Sequence, residues 1–268
     1  MCRLFALAAL EAVNVMEWLK ALKWAAERDP LLEKLTGSPQ HGDGWGLAAL
    51  SADRLIHYRS PVPIWADPLL EVVASTLSFP VAVVAHARKA SAGMPLGAAA
   101  AHPFAVPLRD GSVLFVSQNG ALDVERLLKA VGPVASPDNV DSFIYSLALA
   151  RYVEGKGDLG AALAELHSDL EGAGCVKGMA NTAALLVRRS GGELRAEVGA
   201  VRHVVSDRLR AYGELYVVEG ERFVATFSST LARTLPTDVW GEPLGENVAL
   251  CAELGASRFR RYEIPAKR

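Results

Sequence analysis

Frameworks of disulfides or metal ligands are the first things this sequence lacks. Its 268 residues hold three cysteines, Cys2, Cys175 and Cys251, too few and too scattered for a stapled scaffold and consistent with a reducing compartment. The six histidines form no H-E-x-x-H pattern and no C-x-x-C occurs, so no metal and no cofactor are expected. Charge of one sign is missing too. A net charge of −2 offers no footprint for nucleic acid or an anionic membrane. No run approaches ~18 uncharged apolar residues, Glu11 interrupts the apolar N-terminal stretch, and no basic segment precedes it. Neither a membrane span nor a secretory leader is therefore expected. Internal repeats and low-complexity linkers are absent, which favours one continuous domain over residues 1–268. What is left is a globular composition, 51% hydrophobic and 22% charged, long enough to bury a sizeable core. A soluble, cytoplasmic protein is the expectation.

Of what is present, Cys2 is the most informative residue. It follows the initiator methionine at the head of an apolar stretch, Cys2-Arg3-Leu4-Phe5-Ala6-Leu7. A side chain this small normally lets Met1 be removed, and the mature chain would then begin with a thiol and a free α-amine on one carbon. Amide chemistry needs a nucleophile with an adjacent base, and an N-terminal amine can be that base. Its ordinary pKa of about 7.7–8.0 leaves it substantially neutral near physiological pH. A small buried hydrophobe is the plainer reading of the same cysteine.

Hydrophobic periodicity gives the organisation. An opening strand is followed by a helix capped by Asn14, with Glu17 placed for a capping box and Trp18, Leu19, Leu22 and Ala25–Ala26 at helical spacing. Short strands are expected around Leu47–Leu50 and Leu55–Tyr58, and a helix starting at Asp67-Pro68. The β-branched run Val81-Ala82-Val83-Val84-Ala85-His86 reads as a buried strand, and Val113–Ser117 as another. Helices are expected near 123–131, 139–154 and 158–171, then mostly strands beyond residue 180. Strand, helices, then many strands suggests an α+β fold of stacked sheets covered by helices.

Four segments stand beside Cys2: His41-Gly42-Asp43-Gly44-Trp45-Gly46; Ala85-His86-Ala87-Arg88-Lys89-Ala90-Ser91 with Ala101-His102-Pro103-Phe104; Gln118-Asn119-Gly120-Ala121-Leu122; and Asp141-Ser142-Phe143. In this order they resemble the class II glutamine amidotransferase domain of the N-terminal nucleophile hydrolases, in its stand-alone form. The resemblance covers the N-terminal half well and the remainder by general pattern, with Met179-Ala180-Asn181 as a further match. It implies a four-layer α-β-β-α sandwich of two antiparallel sheets flanked by helices. It also implies hydrolysis of the side-chain amide of glutamine, with ammonia passed to an acceptor.

Carried onto this chain, the resemblance makes Cys2 the nucleophile, forming a thioester while its amine moves the proton. Asn119, by its side-chain amide, and Gly120, by its backbone N–H, would be the oxyanion donors. Arg88 would clamp the substrate carboxylate through its planar fork, with Ser91 assisting, and Asp141 would bind the substrate ammonium. Gly44 and Trp45 would shape the pocket wall. Taken singly, Asn119-Gly120 reads as a hairpin turn, Arg88 as a surface arginine, Asp141 as a first-turn acid facing a helix dipole, and Trp45 equally as core. His86 and His102 read as structural. Gln118 replaces the family's usual histidine before Asn-Gly, and Phe143 replaces an acidic residue after Asp-Ser.

Three functions follow. The chain could hydrolyse free glutamine and pass ammonia to a synthetase partner on another chain. It could cleave a γ-glutamyl conjugate without a partner. Gln118 and Phe143 motivate the third, a catalytically silent module of the same fold that binds an amino acid.

Overall fold

Two antiparallel sheets stacked face to face, with helices outside both, organise the chain. The computed structural model describes every residue except 12, 133–139, 237, 238, 240 and 266–268, and only the backbone of Val131. The elements run β1 (Arg3–Ala9), α1 (Val15–Glu27), α2 (Pro30–Thr36), β2 (Trp45–Ser51), β3 (Arg54–Ser60), α3 (Leu70–Ser75), β4 (Val81–Ala87), β5 (Phe104–Pro107), β6 (Val113–Leu122), α4 (Val124–Val131), α5 (Asp141–Lys156), α6 (Leu159–Gly172), β7 (Val176–Ser190), β8 (Glu193–Arg202), β9 (Leu215–Glu219), β10 (Phe223–Ser228), β11 (Glu242–Pro243), β12 (Val248–Glu253) and β13 (Arg260–Glu263). One sheet has the order β11-β9-β10-β1-β4-β2-β3, the other β13-β12-β8-β7-β6-β5. This is the α-β-β-α sandwich expected.

Both faces of the central strands are covered, which is why β1, β2 and β4 are buried at every position and read as nearly continuous apolar runs. Phe5, Leu7, Leu47 and Ala85 pack outward against α1 residues Trp18 and Leu22. Leu4, Ala6, Ala48 and Val84 pack inward against Phe115, Leu185, Val198 and Leu250 of the other sheet. Beyond that sheet, Leu114, Val116 and Val201 meet Ile144, Leu163 and Leu166 of α5 and α6. Each Leu, Val, Ile or Phe among them contributes about 1.5–3 kcal/mol of burial, so truncating one leaves a cavity that the neighbours fill only in part.

Local differences from the sequence reading have physical causes. Asn14 does cap α1, accepting from the Met16 N–H at 3.1 Å, but the Glu17 side chain accepts from Lys20 Nζ at 2.9 Å instead of closing a capping box. Helix α3 starts at Leu70, two residues past Pro68, because the Asp67 carboxylate is already engaged by the Leu69 N–H, Trp45 Nε1 and Tyr58 Oη at 2.7–2.9 Å. The helix α2, unforeseen, is only seven residues long, too short for periodicity to reveal. Asp29 caps it by accepting from the Leu31 and Leu32 N–H groups.

Alternation along the strands then sets up one end of the space between the sheets. Leu4 lies opposite His86 in the β1–β4 register, so the inward row that includes Leu4 and Ala6 extends back to Cys2, beside His86 and Arg88. The β6 row through Phe115 and Ser117 ends at Asn119, which meets Cys2 from the opposite sheet.

Candidate active site

Asn119 grips the Cys2 residue at both ends. Its Oδ1 accepts from the Cys2 N–H at 2.7 Å and its Nδ2 donates to the Cys2 carbonyl at 2.8 Å. Tyr212 Oη donates to the same carbonyl at 3.0 Å. The Met1 ammonium donates to the Lys89 carbonyl at 2.8 Å, and the thiol lies 3.9 Å from that oxygen. These contacts fix the backbone of Cys2 before any ligand arrives.

Beside it opens a cavity of about 240 Å³. Cys2, Arg88, Ser91, Gly120 and Asp141 all line it. Arg88 is buried, and its Nη1 donates to the Pro95 carbonyl at 2.9 Å. Its backbone is clipped to the glycine-rich segment, since its N–H donates to the Gly44 carbonyl and its own carbonyl accepts from the Asp43 N–H. Asp43 Oδ2 in turn accepts from the Ala90 N–H at 2.8 Å, fixing the chain just before the exposed Ser91. Asp141 stands at the start of α5, and its carboxylate accepts from the Leu122 and Ser142 N–H groups at 2.9 and 2.8 Å.

Asn119 and Gly120 are not a hairpin turn. They lie inside β6, opposite Asn181 and Ala180, immediately before a register shift. Gly120 has φ +147°, and a Cβ there would stand 1.8 Å from the Met179 carbonyl oxygen, so no other residue fits. Gly120 faces the cavity, whereas Asn119 is not among the described residues lining it.

The wall role expected for Gly44 and Trp45 is corrected. Neither is among the described residues that line the cavity. Trp45 opens β2 on the outward row with Leu47 and Ala49, is fully buried, and donates from Nε1 to Asp67 at 2.8 Å. Gly44 lies against the end of β3 instead, where a Cβ would meet the Ser60 carbonyl at 2.6 Å and its own carbonyl holds Arg88.

The thiol is electrostatically unusual. Burial pushes its pKa up, but the nearby N-terminal ammonium and the His86 imidazole outweigh that and hold it well below the ordinary thiol value. His86 stacks on His102, with ring centroids 4.3 Å apart, and no regular hydrogen-bond partner for either ring occurs among the described residues. Burial, with the charges of His86 and Arg88, keeps the His102 ring neutral. His86 is thus a neighbour of the thiol that sequence reasoning set aside. The period-2 spacing from Arg88 was the signal for it.

A second set of residues had no role assigned from the sequence. Arg3, Asp29, His41 and Tyr212 are all buried behind Cys2. Asp29 Oδ2 receives both Arg3 Nε at 2.6 Å and His41 Nε2 at 2.8 Å. The other His41 nitrogen, Nδ1, is 3.1 Å from the Met1 carbonyl oxygen. Arg3 Nη1 donates to the Tyr212 carbonyl at 2.8 Å and its guanidinium sits 4.0 Å over the Tyr212 ring. Burial opposes ionisation of Asp29, yet His41 and Arg3 keep its pKa far below the usual carboxylate range.

No helix among the described residues is long and apolar enough to cross a membrane, and no cluster of three or more metal-ligating side chains occurs among them.

Comparison with known proteins bears on this arrangement. The family model described as glutamine amidotransferases class-II matches residues 1–225. No curated protein matches the sequence. Similar solved structures include the glutamine phosphoribosylpyrophosphate amidotransferase of B. subtilis complexed with ADP and GMP, with a TM-score of 0.58 at 13% identity. Another is described as the allosteric regulatory enzyme of purine biosynthesis, with a TM-score of 0.60 at 14% identity. Each alignment covers 99% of this chain and 50% of the other, so the chain spans about half their length. A glutamine aminotransferase class-II domain protein from Silicibacter pomeroyi aligns over 98% of this chain and 99% of its own, with a TM-score of 0.57 at 18% identity. At such identities the structural likeness speaks for the fold alone.

Proposed function

Because the chain belongs to the class II glutamine amidotransferases, we propose that it hydrolyses the side-chain amide of glutamine, or of a γ-glutamyl amide, with Cys2 as nucleophile. The observation that carries this reading is the convergence on one small cavity of the Cys2 thiol, a buried arginine and a carboxylate. Arg88 and Asp141 together match the two charges of a free amino-acid end, a pairing that a bare amide would not use.

In this reading Met1 is removed first. It lines the cavity now, and its ammonium occupies the Lys89 carbonyl. The released amine of Cys2 takes the thiol proton as sulfur attacks the γ-carbonyl carbon. The carbon–sulfur bond forms, the carbonyl oxygen takes up negative charge, and the proton passes to the departing amine or ammonia as the carbon–nitrogen bond breaks. Water then attacks the thioester by the same route in reverse, returning the thiol. Gly120 offers the oxyanion a backbone edge that faces the cavity. The Asn119 amide, bound to the Cys2 backbone at both ends, holds the nucleophile in place. The ammonia acceptor, where one is used, is a synthetase.

Ammonia release from glutamine and amine release from γ-glutamyl amides, wild type beside Cys2→Ala, test the proposal. Turnover by the wild type that disappears in the variant is the expected result. Equal release by both proteins would remove Cys2 from the chemistry, and tight glutamine binding without turnover would favour the silent module.

A further inference from the structure

The contact between His41 and Met1 has a donor count that does not close. Asp29 is ionised and can only accept, so His41 Nε2 must carry a hydrogen and donate to it. A carbonyl oxygen also only accepts, so a hydrogen bond from Nδ1 to the Met1 carbonyl needs a second ring hydrogen and hence a buried imidazolium. Burial, seconded by the Arg3 charge, opposes that form and pushes the His41 pKa down despite Asp29. In its neutral form the ring turns a bare Nδ1 lone pair toward a carbonyl lone pair. His41 is therefore poorly matched to the chain that still carries Met1.

The processed chain reverses the match. A primary amine has two N–H bonds and one lone pair. Asn119 Oδ1 already accepts from the Cys2 nitrogen at 2.7 Å. Cutting the Met1–Cys2 bond removes the carbonyl acceptor from in front of Nδ1 and leaves on Cys2 an amine that needs an acceptor. We propose that His41 is the positioning residue for the α-amine of Cys2, its Nδ1 accepting the second N–H so that the remaining lone pair is aimed at the thiol. Asp29 fixes the tautomer this requires, and Arg3 fixes Asp29. The chain Arg3–Asp29–His41 thus orients the base as the third member of a catalytic triad orients an imidazole. This rests on the reading of Cys2 as a nucleophile served by its own amine.

Two variants and one comparison of melting temperatures test it. His41→Leu removes the acceptor, whereas His41→Gln keeps both a donor for Asp29 and an acceptor for the amine. With Met1 removal verified by intact mass, His41→Leu should lower kcat about 100-fold with KM for glutamine within about twofold. His41→Gln should recover about tenfold of that loss. Wild-type kcat in His41→Leu, or a loss shared between kcat and KM that His41→Gln does not relieve, would overturn the proposal. Independently of turnover, wild-type protein freed of Met1 should melt higher than wild-type protein retaining it, and His41→Gln should shrink the gap. Equal melting of the two wild-type forms would also overturn it. If wild type releases no ammonia at all, the proposed function fails while the melting comparison still decides the role of His41.

Discussion

Cys2 and Cys251 are both buried thiols near an arginine, yet their surroundings drive them in opposite directions. Cys251 Sγ is 3.4 Å from Glu197 Oε2 and 3.7 Å from Arg260 Nη2. Burial raises its pKa, the Glu197 carboxylate raises it further, and the arginine does not compensate. Cys175, facing Asp123, is raised in the same way. At Cys2, with Met1 still attached, burial acts in the same sense but is overruled by the Met1 ammonium and the His86 imidazole. Burial alone makes a cysteine inert; the sign of the charge facing the sulfur decides whether it becomes a nucleophile.

That contrast can be broken by exchanging the residues one at a time. Cys2→Ser should lower glutamine turnover by about 10³-fold or more, the scale of losing a catalytic nucleophile. Cys251→Ser should leave it within about twofold, read in the same ammonia assay. A Cys251 variant as inactive as the Cys2 variant would show that the two sites are not independent. Asn119→Ala, which releases both ends of Cys2, should lower kcat by about 10²-fold, the cost of misplacing a reacting group by about 1 Å. Steady-state kinetics with glutamine checks this.

Arg88→Lys sharpens the comparison from the substrate side. It keeps the charge near the thiol but loses the planar fork. KM for glutamine should rise by about 10-fold or more, from the ~1.5–3 kcal/mol of charged hydrogen bonds, with kcat changed less. The smallest effect concerns the support behind the site. Asp29 has a folded-state pKa below the unfolded value of about 3.9. The unfolded chain therefore takes up the proton first, and the stability Asp29 contributes is complete above about pH 4 and lost as the pH falls below it. Asp29→Asn should flatten that acid limb in denaturant melts taken across pH 2–5 while still capping α2.

Much of the fold was legible because its central strands are buried on both faces and its helices carry clear periodicity. Cys2, Arg88, Gly120 and Asp141 were legible through their motifs, and the structure brings them to one cavity. What the sequence hid has two causes. Short elements such as α2, β5 and β11 have too few residues to show a period. Contacts such as Arg3 with Tyr212, 209 positions apart, exist only through tertiary packing. Trp45 misled for a third reason. Its flanking glycines suggest a loop, but it opens a strand, and alternation turns it away from the cavity into the outer core.

The account turns on Cys2 being, alone among three thiols, the residue that meets the substrate. Treating native protein with a γ-electrophilic glutamine analogue and mapping the adduct by peptide mass spectrometry reads this directly. The account predicts one adduct per chain, on a Cys2 whose peptide lacks Met1, with competition by glutamine. Labelling at Cys175 or Cys251, or a Cys2 left unmodified while glutamine is turned over, would contradict it.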